Sequence, residues 1–198
     1  IITLHQLGGS SMKHFLSLFV FTVLFFTGTA RADLLIEPVV GYNFGTKFTI
    51  GEGSNTDSYS GGSGPSFGGR LGYTQLGFQL GLDYLNSSID MDDNDFDKDI
   101  DMSEWAAFVG FEFPIMLRVY AGYIFSATGE TEASNIKVEM SKGSGYKAGL
   151  GFTGLPFVDI NIEYRAGTFD EIEYAGTESD DTADYKSIML GLSLPFSI

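Results

Sequence analysis

The chain contains no cysteine, which excludes disulfide frameworks, thiolate catalysis and zinc–cysteine sites. Histidine is nearly absent: His5 and His14 are the only two, and both lie close to the N-terminus. Basic residues are few, 11 against 26 acids, for a net charge of −15. Phosphate backbones require a basic surface, so nucleic acid is excluded as a partner. Proline is scarce at 5 residues, whereas glycine is abundant at 26 and aromatics make up 15% of the chain.

Residues 1–11 contain no Met and are expected to be an untranslated or disordered leader. Met12 opens a segment with Lys13 and His14, the apolar run Phe15 to Phe26, and Ala30-Arg31-Ala32 as a small-x-small cleavage site. This is the pattern of a secretory signal peptide over 12–32. The run is about a dozen residues, short of the roughly 20 that a spanning helix needs. Both histidines leave with this segment, as do Lys13 and Arg31 but no acid, so the mature domain, 33–198, is more acidic still.

From Leu34 onward the apolar period is two. In VDINIEYRA, Val158, Ile160, Ile162, Tyr164 and Ala166 share one face, and Asp159, Asn161, Glu163 and Arg165 share the other. That is strand periodicity. Eight such runs occur, at 34–45, 66–74, 77–87, 103–113, 116–126, 144–153, 157–167 and 185–196. No amphipathic helix follows the leader. The connections alternate: short at 74–77, 114–115 and 154–156, long at 46–65, 88–102, 127–143 and 168–184. An even number of strands with short turns at one end and long loops at the other predicts an all-β, eight-stranded antiparallel up-and-down transmembrane barrel. Strands of about 10 residues, tilted near 45°, span about 23 Å, close to the apolar band of about 25 Å.

In this layout, and in the terminal motif Gly191-Leu192-Ser193-Leu194-Pro195-Phe196, the chain resembles the small eight-stranded outer-membrane β-barrels of the OmpA, OmpX and opacity-protein type. Gly191, Leu194 and Phe196 match the Gly-x-x-hydrophobic-x-aromatic signal read by the barrel-assembly machinery. Two departures stand out. Met189 occupies a place where that signal prefers a polar residue, and the chain runs two residues past Phe196. The resemblance implies the outer membrane of a Gram-negative bacterium, both termini in the periplasm and the long loops outside. It also implies outer-membrane lipid and lipopolysaccharide as surroundings, and a monomer.

One face of each strand is aliphatic or aromatic, including Ile36, Val40, Leu71, Leu80, Val109, Val119, Leu150, Ile162 and Leu190. The other is small or charged. Eight strands leave an interior just wide enough to be filled by side chains. Large apolar residues from every strand would overfill it, whereas an arginine turned to lipid would cost roughly 2–4 kcal/mol at the midplane. The charged face is therefore expected inside, with Glu37, Asp83, Glu104, Glu112, Asp159 and Glu163 paired to Arg70, Arg118, Lys147 and Arg165, since an unpaired buried charge is costly. Two aromatic belts support this orientation: Tyr42, Phe44, Tyr84, Trp105, Tyr123, Phe125, Tyr146 and Tyr164 at the long-loop end, and Tyr73, Phe78, Phe111, Phe113, Phe152, Phe157 and Phe196 at the other.

The long loops hold most of the acids. In DMDDNDFDKDID, residues 90–101, Asp93, Asp95, Asp97, Asp99 and Asp101 fall on alternate positions. From Asp93 to Glu104 the spacing is EF-hand-like, but Lys98 stands where glycine allows the sharp turn, and helices are lacking. A solvated charge run is the expectation. A weak calcium or magnesium site is the alternative, as is an extension of two strands that stacks the odd-numbered aspartates on one face. No other cofactor is expected. Enzymes on similar barrels generally rely on a histidine base, and the mature chain has none. The expected role is non-enzymatic: a plugged barrel serving membrane integrity or surface interaction, its external partner unspecified by the sequence. A narrow solute or ion channel is the alternative, and a lipid-modifying enzyme the second.

Overall fold

The computed structural model describes residues 32–52, 55–91, 99–133, 136–179 and 181–198. The leader expectations over residues 1–31 lie outside this set, as do Asp93, Asp95 and Asp97. The strands are β1 (Asp33–Glu52), β2 (Asn55–Gln75), β3 (Phe78–Ile89), β4 (Ile100–Phe113), β5 (Leu117–Ala133), β6 (Ile136–Phe152), β7 (Asp159–Tyr174), β8 (Thr177–Ser179), β9 (Thr182–Ser193) and β10 (Phe196–Ser197). The last three are segments of one eighth barrel strand. Neighbours pair antiparallel from β1 to β7, and β9 pairs with both β7 and β1. Val39 lies opposite Ser193 and Gly51 opposite Thr182, so the sheet closes on itself. Closure pairs the backbone groups that lipid cannot satisfy.

The turn chemistry is local. β2 and β3 are joined by Leu76 and Gly77, and β7 and β8 by Ala175 and Gly176, all four at positive φ. Two consecutive positive φ values suit the right-handed twist of a hairpin.

The outer wall carries the apolar band. Val40, Leu71, Leu80, Val109, Leu150 and Leu190 are half or more exposed. The two predicted belts flank it: Tyr84 stacks near Trp105 at 4.8 Å and Tyr123 near Tyr146 at 5.7 Å at one end, with Phe78 edge-on to Phe111 at 4.6 Å at the other. Such a wall in water would be a large aggregation surface, whereas in lipid it is solvated.

The long loops are corrected. β1 runs for 20 residues and β2 for 21, about twice the 9–11 that cross a membrane. Residues 46–65, 127–143 and 168–184 are mostly strand, and the barrel wall continues past the aromatic belt as tall hairpins. The physical reason lies in the β-bulges. β1 faces inward at Asn43 and again at Thr46, with Gly45 at φ 63 between them. β5 does so at Ile124 and Ala127, β6 at Met140 and Gly143, and β7 at Phe169 and Ile172. Each extra residue shifts the alternation by one, so a strict period of two breaks where the strand does not.

Candidate functional site

The interior has two storeys. The lower one, toward the short turns, is ionic. Arg70 on β2 donates from Nε to Asp83 at 2.8 Å, from Nη1 to Glu37 at 3.2 Å and from Nη2 to Glu163 at 3.0 Å. Arg118 on β5 grips both oxygens of Glu37, at 2.9 and 2.7 Å, and its Nη2 also reaches Asn161 at 2.8 Å and Asp159 at 3.4 Å. Lys147 on β6 sits 2.6 Å from Asp83 and 3.4 Å from Glu163. Arg165 on β7 donates to Glu104 and, at 2.7 Å, to Asn43. All nine of these charged residues are buried. Isolated charges in such a place would cost several kcal/mol each; here every one has an opposite partner.

Glycine makes the room. A Cβ on Gly149 would fall 2.2 Å from the Tyr120 ring. That ring lies across the lumen, with the Arg70 guanidinium carbon 4.3 Å from its centroid.

One expected member is missing. Glu112 lies in register with Arg118 but is exposed at the short-turn mouth. It is the penultimate residue of β4, where water already solvates a carboxylate. The interior also contains polar groups that the charge pattern did not single out: Asn43 beside Ser66, Ser66 2.7 Å from Ser87, Thr46 3.0 Å from Ser187, and Asn161 2.9 Å from Ser193. For all but Thr46, which lies past the Gly45 bulge, inward parity was the available signal.

The upper storey, formed largely by segments expected to be loops, has an apolar interior. Phe48, Ile100, Ile124, Val138, Met140, Phe169 and Ile172 form a buried cluster inside the hairpin end. The Tyr185 ring joins it, 5.4 Å from Phe169, while its hydroxyl donates to Glu104 below. Outside, Asp57, Asp101, Glu130, Asp170 and Asp184 are exposed. Within the membrane, lipid takes the apolar side chains and the interior takes the charges. Above it, water surrounds the wall and the preference reverses.

Asp99 and Asp101 lie on the outer wall, Asp101 opposite Glu130. Glu104, the last position of the EF-hand-like spacing, is committed to Arg165 and Tyr185 inside. Among the described residues no group of three acids is placed to hold a metal ion. Gly191 is buried opposite Gly41, and Phe196 is exposed and pairs with Ile36, so the terminal motif zips the barrel seam. Met189 is buried, its Sδ near Gly41 and 3.6 Å from Arg165 Nη2, which accounts for an apolar residue at that inward position.

No protein-family model matches the chain, and no curated protein matches it by sequence. Solved structures do. Ail, the attachment invasion locus protein of Yersinia pestis, superposes with a TM-score of 0.54 at 16% identity, covering 82% of this chain and 98% of Ail. Ail in complex with the heparin analogue sucrose octasulfate gives 0.52 at 14%, covering 83% and 99%. Neisserial surface protein A gives 0.50 at 14%, covering 82% and 97%. With its eight-stranded closure, apolar outer band and charged interior, the chain has the fold of the small eight-stranded outer-membrane β-barrels.

Proposed function

We propose that the protein is a non-enzymatic, non-conducting barrel of the Gram-negative outer membrane, exported through a cleaved signal peptide, whose tall hairpins act in membrane integrity or surface interaction. The observation that carries this reading is the filled lumen. Side chains from every barrel strand cross it, ionic below and apolar above. Ion flow would require breaking the Arg118–Glu37 grip and opening the cluster around Phe48. The hairpins face outward from the cell, and their wall is acidic. Ail holds a polyanionic sugar analogue; a wall bearing Asp57, Glu130, Asp170 and Asp184 repels such a ligand and favours a cationic partner.

Planar-bilayer recording of the refolded protein tests the closed lumen, with a flat baseline expected. A steady open state would sink it and favour a narrow channel. Binding to host or abiotic surfaces by intact cells, with Asp57, Glu130, Asp170 and Asp184 changed to Asn or Gln, tests the wall. Undiminished binding to a cationic surface would remove the acidic hairpins from the account. Hydrolysis or acyl transfer on outer-membrane lipid by the purified protein would refute the non-enzymatic assignment.

A further inference from the structure

The acidic outer wall has one basic exception. Four described lysines lie at the hairpin end. Lys137 pairs with Glu130 and Glu139, and Lys142 with Glu171. The other two, Lys47 on β1 and Lys186 on β9, are directly opposite each other in register, and both are exposed. Neither forms an ion pair with a described carboxylate. Like charges opposite one another, roughly 5 Å apart at Cβ, destabilise a sheet unless something anionic lies between or beside them.

Their level on the barrel is specific. A single cross-strand row runs Tyr123, Tyr146, Ala166, Lys186, Lys47, Ser60. The row beneath holds Tyr164, Ile188 and Phe44, which are exposed and lie at or near the apolar band. The row above holds Thr168 and Asp184, joined by a 2.6 Å hydrogen bond. The two lysines therefore sit where hydrocarbon gives way to headgroups. Between Lys186 and the tyrosines the wall is hollow. A trough of about 340 Å³ is lined by Tyr123, Tyr146, Ala166, Thr168 and Lys186, with the Asp184 carboxylate, hydrogen-bonded by Thr168, at its upper rim. Ala166 leaves it open because its methyl is small, whereas Gly167 is turned inward, where a Cβ would meet the Tyr185 ring at 2.6 Å.

We propose that this trough and the lysine pair bind the phosphorylated sugar headgroup of an outer-leaflet lipid. The inference rests on the membrane placement given above and names a site within it. The ammonium groups neutralise the phosphate, the aromatic faces of Tyr123 and Tyr146 receive the sugar ring, and the acyl chains continue down over Tyr164 and Ile188. Carboxylates elsewhere on the wall repel anions; Asp184 at the trough's upper rim is engaged by Thr168, and the two lysines outweigh its charge. A lysine near an anionic surface contributes about fivefold in affinity, or roughly 25-fold for two.

The test uses the full barrel refolded into zwitterionic nanodiscs, with dimethyl-labelled lysines followed by NMR. The probes are a bis-phosphorylated diglucosamine lipid, the same lipid without phosphate, and inorganic phosphate. Lys47 and Lys186 signals should shift with the first probe and stay put with the second. Lys47→Gln with Lys186→Gln should weaken binding roughly 25-fold, Lys47→Arg with Lys186→Arg should retain it, and Lys137→Gln with Lys142→Gln should leave it within twofold. Equal losses in both Gln pairs would reduce the effect to bulk charge and overturn the site. Equal affinity for the dephosphorylated lipid would overturn the phosphate assignment, and an equal response to inorganic phosphate would overturn the lipid one. A closed barrel should migrate differently on gels before and after boiling, so a variant that keeps this difference but loses the lipid separates failure of this site from failure of the barrel.

Discussion

Arg118 holds Glu37 by two parallel hydrogen bonds, Nη1 to Oε2 at 2.9 Å and Nη2 to Oε1 at 2.7 Å, across the interior from β5 to β1. Both side chains are almost fully buried. Removing the guanidinium leaves a carboxylate without its main partner where water does not reach. Arg118→Leu should therefore destabilise the barrel by roughly 3–5 kcal/mol. Val119→Leu, one residue on and turned to lipid, should change stability by less than about 1 kcal/mol. Urea unfolding in lipid vesicles measures both, and equal tolerance would mean that the lumen is wet.

The hairpin end is a water-solvated barrel stacked on a lipid-solvated one. Phe48→Ala and Ile172→Ala should each cost about 2–5 kcal/mol, as in any packed core. Amides of residues 46–52 and 136–141 should exchange slowly, because they lie in ladders with β9, β2, β5 and β7. Exchange at free-peptide rates in these segments would restore them to loops.

The readable part of the fold and the unreadable part divide at the bulges. Between the belts each strand alternates without interruption, and the identity of the inward residues follows from the cost of an arginine in lipid. Arg70, Arg118, Lys147 and Arg165 were therefore legible as lumen residues, and the aromatic belts fixed where the membrane ends. Beyond Gly45, Ser126, Lys142 and Asp170 the same alternation resumes one residue out of step. Read straight through, Phe48 and Val138 fall on the wrong face, and a Gly/Ser-rich or acidic composition looks like loop. The reversal of solvent adds to the difficulty: the rule that places charges inside holds only where lipid is outside. Glu112 keeps the inward parity, but parity does not tell a lumen position from one at the mouth, one residue before the strand end. The Lys47–Lys186 juxtaposition needed the register of the barrel seam, which joins residues far apart in the chain.

Lys142 and Glu171 pair on the outer wall, and Ser141 adds a 3.0 Å hydrogen bond to the same carboxylate. The hydrogen bond from Lys142, with that from Ser141, holds the Glu171 carboxyl below its ordinary 4.5. A depressed carboxyl contributes stability above its unfolded value and loses it as pH falls through the folded one. The local gain is thus present at neutral pH and disappears under acid. Carbon-detected NMR titration should find Glu171 titrating below 4.5, and Lys142→Met should raise it toward that value. An unchanged midpoint in that variant would mean that solvent screens the pair completely.

Tyr120 occupies the space that Gly149 leaves open. A Cβ at position 149 would fall 2.2 Å from the ring's Cζ and 2.4 Å from its hydroxyl oxygen. The ring cannot simply swing away, because Arg70 covers it at 4.3 Å and Arg118 lies 5.6 Å from its centroid. Gly149→Ala must displace either the tyrosine or the ion network that packs on it. Overpacking of this kind costs about 1–3 kcal/mol. Tyr120→Leu vacates the para position and the hydroxyl, so the same alanine should cost less than about 0.5 kcal/mol in that background. The double-mutant cycle, read by unfolding in lipid, should therefore give a coupling of about 1 kcal/mol or more. Additive effects would show that Tyr120 has a second rotamer available and that Gly149 is small for some reason other than the ring above it.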